Sequence, residues 1–191
     1  MTSGILRLGA DQLRHVALNR TVLEKAAEAS SIDWEVLAGV WYRESFSVSP
    51  PRTPGGCFQF DPPPDEPYIR WMLGKFTSLP RTEAEDIAAA GVNAFADGAY
   101  IAAAFLRMKT GLKKGDTDEN VKNTFWSYNG RFYGSADASP YVMNGYDAAH
   151  LHMKIQGTLP PLKEGGPRRK IETVDMRPGA FVVYKQLKGD I

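Results

Sequence analysis

The segment IDWEVLAGVWYRES, residues 32–45, constrains this chain more than any other. Leu37, Val40, Trp41 and Glu44 stand at i, i+3, i+4 and i+7, so on a helix they share one face. That face is apolar except for its last member, a carboxylate. Asp33 suits the N-cap, because its side chain can accept from the free amides of the first turn. Ile32 and Leu37 can form a hydrophobic staple across that start. Pro50-Pro51 sets the far limit, since proline cannot continue a helix. A helix of this kind needs a core to enter, and the chain can supply one. Its 191 residues are 43% hydrophobic, enough for one domain and too few for two ordinary ones.

The rest of the chain punctuates into further helices. Leu13, Val16, Ala17, Leu23 and Ala27 recur at helical spacing and predict a helix over 13–29. Residues 47–67 are rich in Pro, Gly and Ser, with Phe58 and Phe60 alternating about Gln59. They read as a structured loop or short β-hairpin. Tyr68 to Phe76 suits a short helix. Thr82 with Glu85 has the form of a capping box for a helix closed by Gly91. A long alanine-rich helix is expected from Asn93 to Lys109, ending at Gly111, and a shorter one from Thr117 to Trp126. Ser139-Pro140 is a start signal for a helix reaching Ile155, which Gly157 and Pro160-Pro161 would stop. Beyond that point AFVVYKQL, residues 180–187, is β-prone and lacks helical period. The division expected is a helical domain over 1–158 and a small strand-containing extension over 159–191.

Composition excludes several classes. The net charge of +1, with 24% charged residues, argues against a disordered chain and against a general nucleic-acid binder. The single cysteine, Cys57, forbids an intramolecular disulfide, so packing alone must hold the fold. Cys57 has no histidine near it in sequence and reads as a small buried filler rather than a thiol nucleophile. His15, His150 and His152 make no metal-binding spacing, and no phosphate-cradling glycine loop is present. No metal or cofactor is expected. No stretch approaches the roughly 18 apolar residues of a membrane span, and the N-terminus lacks the apolar core of a signal peptide. The expectation is a protein made soluble in a cytoplasm.

The chemistry centres on Glu44. Burial on an apolar stripe disfavours the charged carboxylate and raises its pKa. The C-terminal end of a helix dipole pushes the same way. An acid still protonated near neutral pH is what a glycosidic leaving oxygen needs as proton donor. Helical geometry alone leaves another reading open, in which Glu44 rotates out to solvent or pairs with Arg43 or Arg52.

Four blocks extend the argument: IDWEVLAGVWYRESF, GGCFQF, WSYNGRFYG and SPYV. In this order, over roughly Val16 to Ile155, the sequence resembles the soluble lytic transglycosylases, relatives of goose-type lysozyme. The family's first block carries its catalytic glutamate in an E-S context, here Glu44-Ser45. The second usually reads G-L-M-Q, here Gly56-Cys57-Phe58-Gln59. The third usually reads A-Y-N-A-G, here Ser127-Tyr128-Asn129-Gly130. The fourth contributes a tyrosine near the acid, which maps to Tyr141. Three departures stand out. Cys57 replaces a larger apolar residue, the run from Pro62 to Val92 is longer than usual, and the loop after Asn129 is one residue shorter. The resemblance implies a mainly α-helical, lysozyme-like α+β fold. A cleft would lie beside the Glu44 helix, with a short β-type segment near Gln59 as one wall. It also implies cleavage of the β-1,4 bond between N-acetylmuramic acid and N-acetylglucosamine of peptidoglycan, with Glu44 as acid and base.

The remaining site residues keep two readings each. Gln59 and Asn129 can supply donors and acceptors to acetamido and hydroxyl groups. Tyr128 stacks on sugar or packs in the core; for Trp126 and Phe132 core packing is favoured. Tyr141 orients Glu44 or is a half-buried tyrosine at a helix start. Ser45 binds the acid or helps end the helix. Among enzymes the rival is a hydrolytic muramidase on the same bond. From another class it is a catalytically weak wall-binding or structural component of a phage tail or secretion assembly. The lack of a signal peptide favours a bacteriophage lysis or virion protein, whose extension over 159–191 would meet other phage structural proteins. The basic run Arg168-Arg169-Lys170 reads as a solvated turn. Since all four blocks precede residue 159, the extension is expected to be dispensable for folding and activity.

Overall fold

The computed structural model describes residues 5–49, 55–159 and 169–191. Among these the chain forms eight helices and one two-stranded antiparallel sheet. The order is α1 (Ala10–Ala29), α2 (Trp34–Glu44), α3 (Glu66–Phe76), α4 (Arg81–Ala90), α5 (Phe95–Thr110), α6 (Asp118–Tyr128), α7 (Pro140–Met143), β1 (Lys154–Leu159), β2 (Arg169–Val174) and α8 (Ala180–Lys188). Pro50-Pro51, Arg52, Pro160-Pro161 and Arg168 lie outside the described residues. No single described helix is long and apolar enough to cross a membrane.

Helix α2 is the centre of the molecule. Every residue from Val36 to Arg43 is buried, and the helix meets α1, α5 and α8. Gly39 makes the α2–α8 approach possible: a Cβ there would lie 2.7 Å from the Ala180 carbonyl oxygen and 3.1 Å from the Phe125 ring. The staple residues Ile32 and Leu37 are both buried. Asp33 occupies the N-cap position, but its side chain caps nothing. Its carboxylate instead accepts from the Gly115 amide at 3.1 Å and lies 3.8 Å from Lys188 Nζ. The helix ends at Glu44, well before Pro50, because Phe46 turns to φ +51° and its amide donates back to Trp41.

Several expected boundaries move. In α1 the buried face is Val16, Leu23, Ala26 and Ala27, while Leu13 and Ala17 face outward. Helix α4 starts at Arg81 without a side-chain cap, and Glu85 pairs with Arg81 rather than closing a box with Thr82. The Gln59 segment is a turn and not a β-type wall. Gly56 sits in it at φ +67°, where a Cβ would fall 2.0 Å from the Val92 carbonyl oxygen, so the turn seats directly on that backbone. Cys57 is fully buried, as a filler would be.

Ser139-Pro140 does start a helix, but α7 runs only to Met143. Asn144 ends it. This fully buried side chain accepts from the Met153 amide at 2.7 Å and donates to the carbonyls of Asp175 at 2.8 Å and Arg177 at 2.7 Å. Those bonds reach across the chain, and they replace the predicted helix to Ile155 with turns that lead into β1. Strand β1 pairs with β2 from Lys154 opposite Val174 to Leu159 opposite Arg169.

Residues 180–187 are helical rather than extended. Phe181, Val182, Val183 and Tyr184 are all buried, and α2·α8 is the most extensive helix pair in the molecule. β-propensity here yields to burial against α2, since propensity is a weak preference beside packing. Gly189, at φ +78°, closes the helix in the left-handed conformation. The described part of 159–191 is therefore no appendage, for Ala180, Phe181, Val183 and Tyr184 belong to the same hydrophobic core as Val36, Leu37 and Trp41.

Candidate active site

Glu44 is the last residue of α2 and sits between two cavities of about 730 Å³ and 600 Å³. Both are lined by Glu44, Asn129 and Phe132, so they form the two arms of one cleft with the carboxyl group between them. The Tyr141 hydroxyl donates to Glu44 Oε1 at 2.8 Å. Burial pushes the Glu44 carboxyl up to about 7. The Tyr141 hydrogen bond and the positive charges of Arg43 and Arg177 pull it the other way, without prevailing. The end of α2 adds negative potential at the same place. The result is an acid able both to donate and to recover a proton near neutral pH.

The larger arm is built from the Gln59 turn, the proline-rich run that follows it, and the end of α6. Gln59 takes φ +52°, and its side-chain amide donates to the Gly56 carbonyl at 2.9 Å. Tyr128 does two things at once. It lines this arm, and its hydroxyl donates to the Phe58 carbonyl at 2.6 Å, tying the turn to α6. Burial, and then the nearby Glu44, push its phenol well above the usual tyrosine range. Asn129 caps the end of α6 and borders both arms.

Five of the six residues picked from sequence thus line the cleft: Glu44, Gln59, Tyr128, Asn129 and Tyr141. Ser45 does not. Its hydroxyl donates to the Cys57 carbonyl at 2.7 Å and accepts from the Ser47 amide, which fastens the Gln59 turn to the end of α2. It holds the site without touching the acid. Phe132 reverses in the other direction. Expected in the core, it is 65% exposed and borders both arms. Trp126 is half-buried, with its indole N–H donating to the Phe132 carbonyl at 2.6 Å.

The structure also adds residues that no motif pointed to. Arg43, one residue before the acid, has a side chain only 2% exposed. Its Nη2 lies 2.5 Å from Asp175 Oδ2, and its guanidinium carbon stands 5.3 Å from the centre of the Tyr141 ring. Burial opposes the charge of Asp175, yet Arg43 beside it, with help from Arg177, holds its pKa below the ordinary value. Arg177 reaches the smaller arm, with Nε 3.3 Å from Asp175 Oδ1 and Nη1 donating to the Arg43 carbonyl at 3.3 Å. An arginine next to a candidate acid was the one sequence signal available; its partner, 132 residues away, had none.

Among the described residues, no group of three or more His, Cys, Asp or Glu side chains is placed to hold a metal ion. The fold and site define a mainly helical protein that presents a carboxylic acid, charged and neutral forms finely balanced, in a two-armed cleft. Compared with protein-family models, with curated proteins and with solved structures, the chain matches none.

Proposed function

We propose that this chain has a lysozyme-like fold and cleaves the β-1,4 bond between N-acetylmuramic acid and N-acetylglucosamine in peptidoglycan strands. The observation that carries the reading is Glu44, held by Tyr141 at the junction of the two arms with a carboxyl pKa of about 7. The arms suit a sugar polymer. Phe60, Phe105, Tyr128 and Phe132 offer flat apolar faces, and Gln59 and Asn129 offer amides. In the proposed reaction Glu44 gives its proton to the glycosidic oxygen as the bond from the anomeric carbon breaks. The muramic 6-hydroxyl oxygen then bonds to that carbon, and its proton returns to Glu44. The products are a free 4-hydroxyl on one side and a 1,6-anhydromuramic end on the other. Tyr141 is a positioning residue for the carboxylate stage.

One observation favours a second reading. Asp61 and Asp65 line the larger arm, and a hydrolase needs a second carboxylate to activate water or act as nucleophile. Both are exposed, and Asp65 is engaged in accepting from the Tyr68 amide at 2.9 Å as the cap of α3. The expected result is that purified enzyme releases muropeptides lighter than reducing ends by one water and inert to borohydride, and that Asp61→Asn leaves this product unchanged. Mass spectrometry of the digest checks it. Reducible ends alone, lost in Asp61→Asn, would make the chain a muramidase.

Tyr141→Phe removes the one hydrogen bond that a side chain makes to Glu44 among the described residues, and nothing else of size. A hydrogen bond to a charged group is worth about 1.5–3 kcal/mol, so kcat/KM on peptidoglycan will fall roughly ten- to a hundredfold. The sign of the pH effect is fixed as well. The bond favours the charged form, so its loss raises the Glu44 pKa further. The alkaline limb of the pH–rate profile, where the acid form is lost, will move to higher pH. A limb that stays put or moves down would show that Tyr141 does not act on Glu44.

A further inference from the structure

The two arms differ in charge. The larger carries Asp61 and Asp65 against one lysine, Lys109. The smaller carries Arg43 and Arg177, and among the described residues its only carboxyl group is Glu44. Asp175 lies beneath these two arginines, its side chain 3% exposed, and it contacts both. One buried carboxylate between two guanidinium groups leaves one positive charge over. That surplus sits at the surface, for the Arg43 side chain is enclosed and the Arg177 side chain is half exposed.

Arg177 is also held in place. Its amide donates to Asp175 Oδ1 at 3.0 Å, and its carbonyl accepts from both Asn144 and Arg43. Of the five N–H donors of a guanidinium, contacts with the described residues use Nε and one on Nη1. The fork that remains suits the two oxygens of a carboxylate. A rigid backbone seat, a spare charge and spare donors on the wall of a cleft are the parts of an anion site.

We propose that Arg177 binds a carboxylate of the substrate, so that the smaller arm receives the carboxylate-bearing part of the strand and the acidic larger arm repels it. This rests on the reading of the cleft as a peptidoglycan site and adds the chemistry by which a strand is oriented in it. Two carboxylates are available on such a strand: the lactyl group of muramic acid where the peptide has been stripped, and the acidic residues of the stem peptide where it has not.

The test uses full-length Glu44→Gln protein, so that ligands bind without turnover, with and without Arg177→Gln. Five ligands are compared by calorimetry: stripped glycan strands, peptide-bearing strands, each of these with carboxylates converted to amides, and an uncharged oligomer of N-acetylglucosamine. Amidation is expected to weaken binding to the Arg177 protein roughly tenfold, as loss of one charged hydrogen-bonding partner should. The Arg177→Gln protein should bind charged and amidated strands alike, and the uncharged oligomer as well as its parent does. The source is the lactyl group if stripped strands show the effect, and the stem peptide if only peptide-bearing strands do. Amidation without effect on the protein that keeps Arg177 would overturn the proposal, and needs no folded Arg177 variant to be seen. Failure of all five ligands to bind would instead contradict the proposed function. Arg177→Lys, which keeps the charge and loses the fork, should retain part of the preference for charged strands.

Discussion

Ending the chain after Leu159 will leave a protein that does not fold. The deleted part includes α8, whose Phe181, Val182, Val183 and Tyr184 are buried, chiefly against α2. At about 1.5–3 kcal/mol for each large apolar side chain, the lost burial comes to about 6–12 kcal/mol. That is comparable with the about 5–15 kcal/mol that holds an ordinary domain together. The deletion also removes Asp175 and leaves the Arg43 guanidinium buried without its counter-charge, a further cost of about 3–5 kcal/mol. Two consequences follow at the site. The end of α2, which carries Glu44, loses its neighbour, and the smaller arm loses Arg177. Circular dichroism and sedimentation of the truncated chain will show an unfolded or aggregated product. A monomeric truncation with the parent's helical signal and a cooperative melt would mean that α8 is an accessory to the core rather than part of it.

This outcome is opposite to what the sequence suggested, and the reason is instructive. The α2 helix was legible because its determinants are local: a three-residue apolar stripe, a cap position and a staple within a dozen residues. Glu44 was legible as a candidate because helical period puts it on the apolar stripe, but the period left a solvent-facing reading open, and the resemblance to a family chose between them. The end of α5 was legible from Gly111 and the start of α6 from Thr117, which act within one turn. Asn144 was not, since its hydrogen bonds go to Met153, Asp175 and Arg177, and nothing near it in sequence says that α7 must stop after four residues. Val182, Val183 and Tyr184 have β-propensity, and only the groove along α2 makes them helical. Gly189 is a local stop signal, but it marks a helix end only once the residues before it are helical. The pairing of Tyr141 with Glu44 spans 97 residues, and it came from the resemblance to a family rather than from any pattern in the chain. Ser45 is drawn to the Cys57 carbonyl and Phe132 lies in a turn whose backbone carbonyl takes the Trp126 indole N–H, and neither arrangement is written in a local sequence pattern.

The second large effect concerns Glu44 itself. Its carboxyl group is kept neutral by burial up to about pH 7, whereas in the unfolded chain it would ionise near the ordinary glutamate value of 4.5. The folded state therefore binds the extra proton between those values, and Glu44 lowers stability as pH rises through that window. Gln keeps the shape and the polar atoms but never ionises. Glu44→Gln should therefore melt at a higher temperature than the parent at pH 8 and at about the same temperature at pH 4. Catalysis responds in the opposite sense. Gln cannot give a proton to a leaving oxygen or take one from the attacking hydroxyl, and general acid–base help is worth around 10²–10⁴-fold. A more stable protein that no longer works marks a residue kept for its chemistry.

The most direct measurement is the rate at which purified parent and Glu44→Gln proteins release soluble fragments from peptidoglycan at pH 6, with circular dichroism confirming that both are folded. The account predicts measurable release by the parent and a loss of around 10²-fold or more in the variant. A folded Glu44→Gln protein that solubilises peptidoglycan at the parent's rate, or a folded parent that releases nothing, would contradict it.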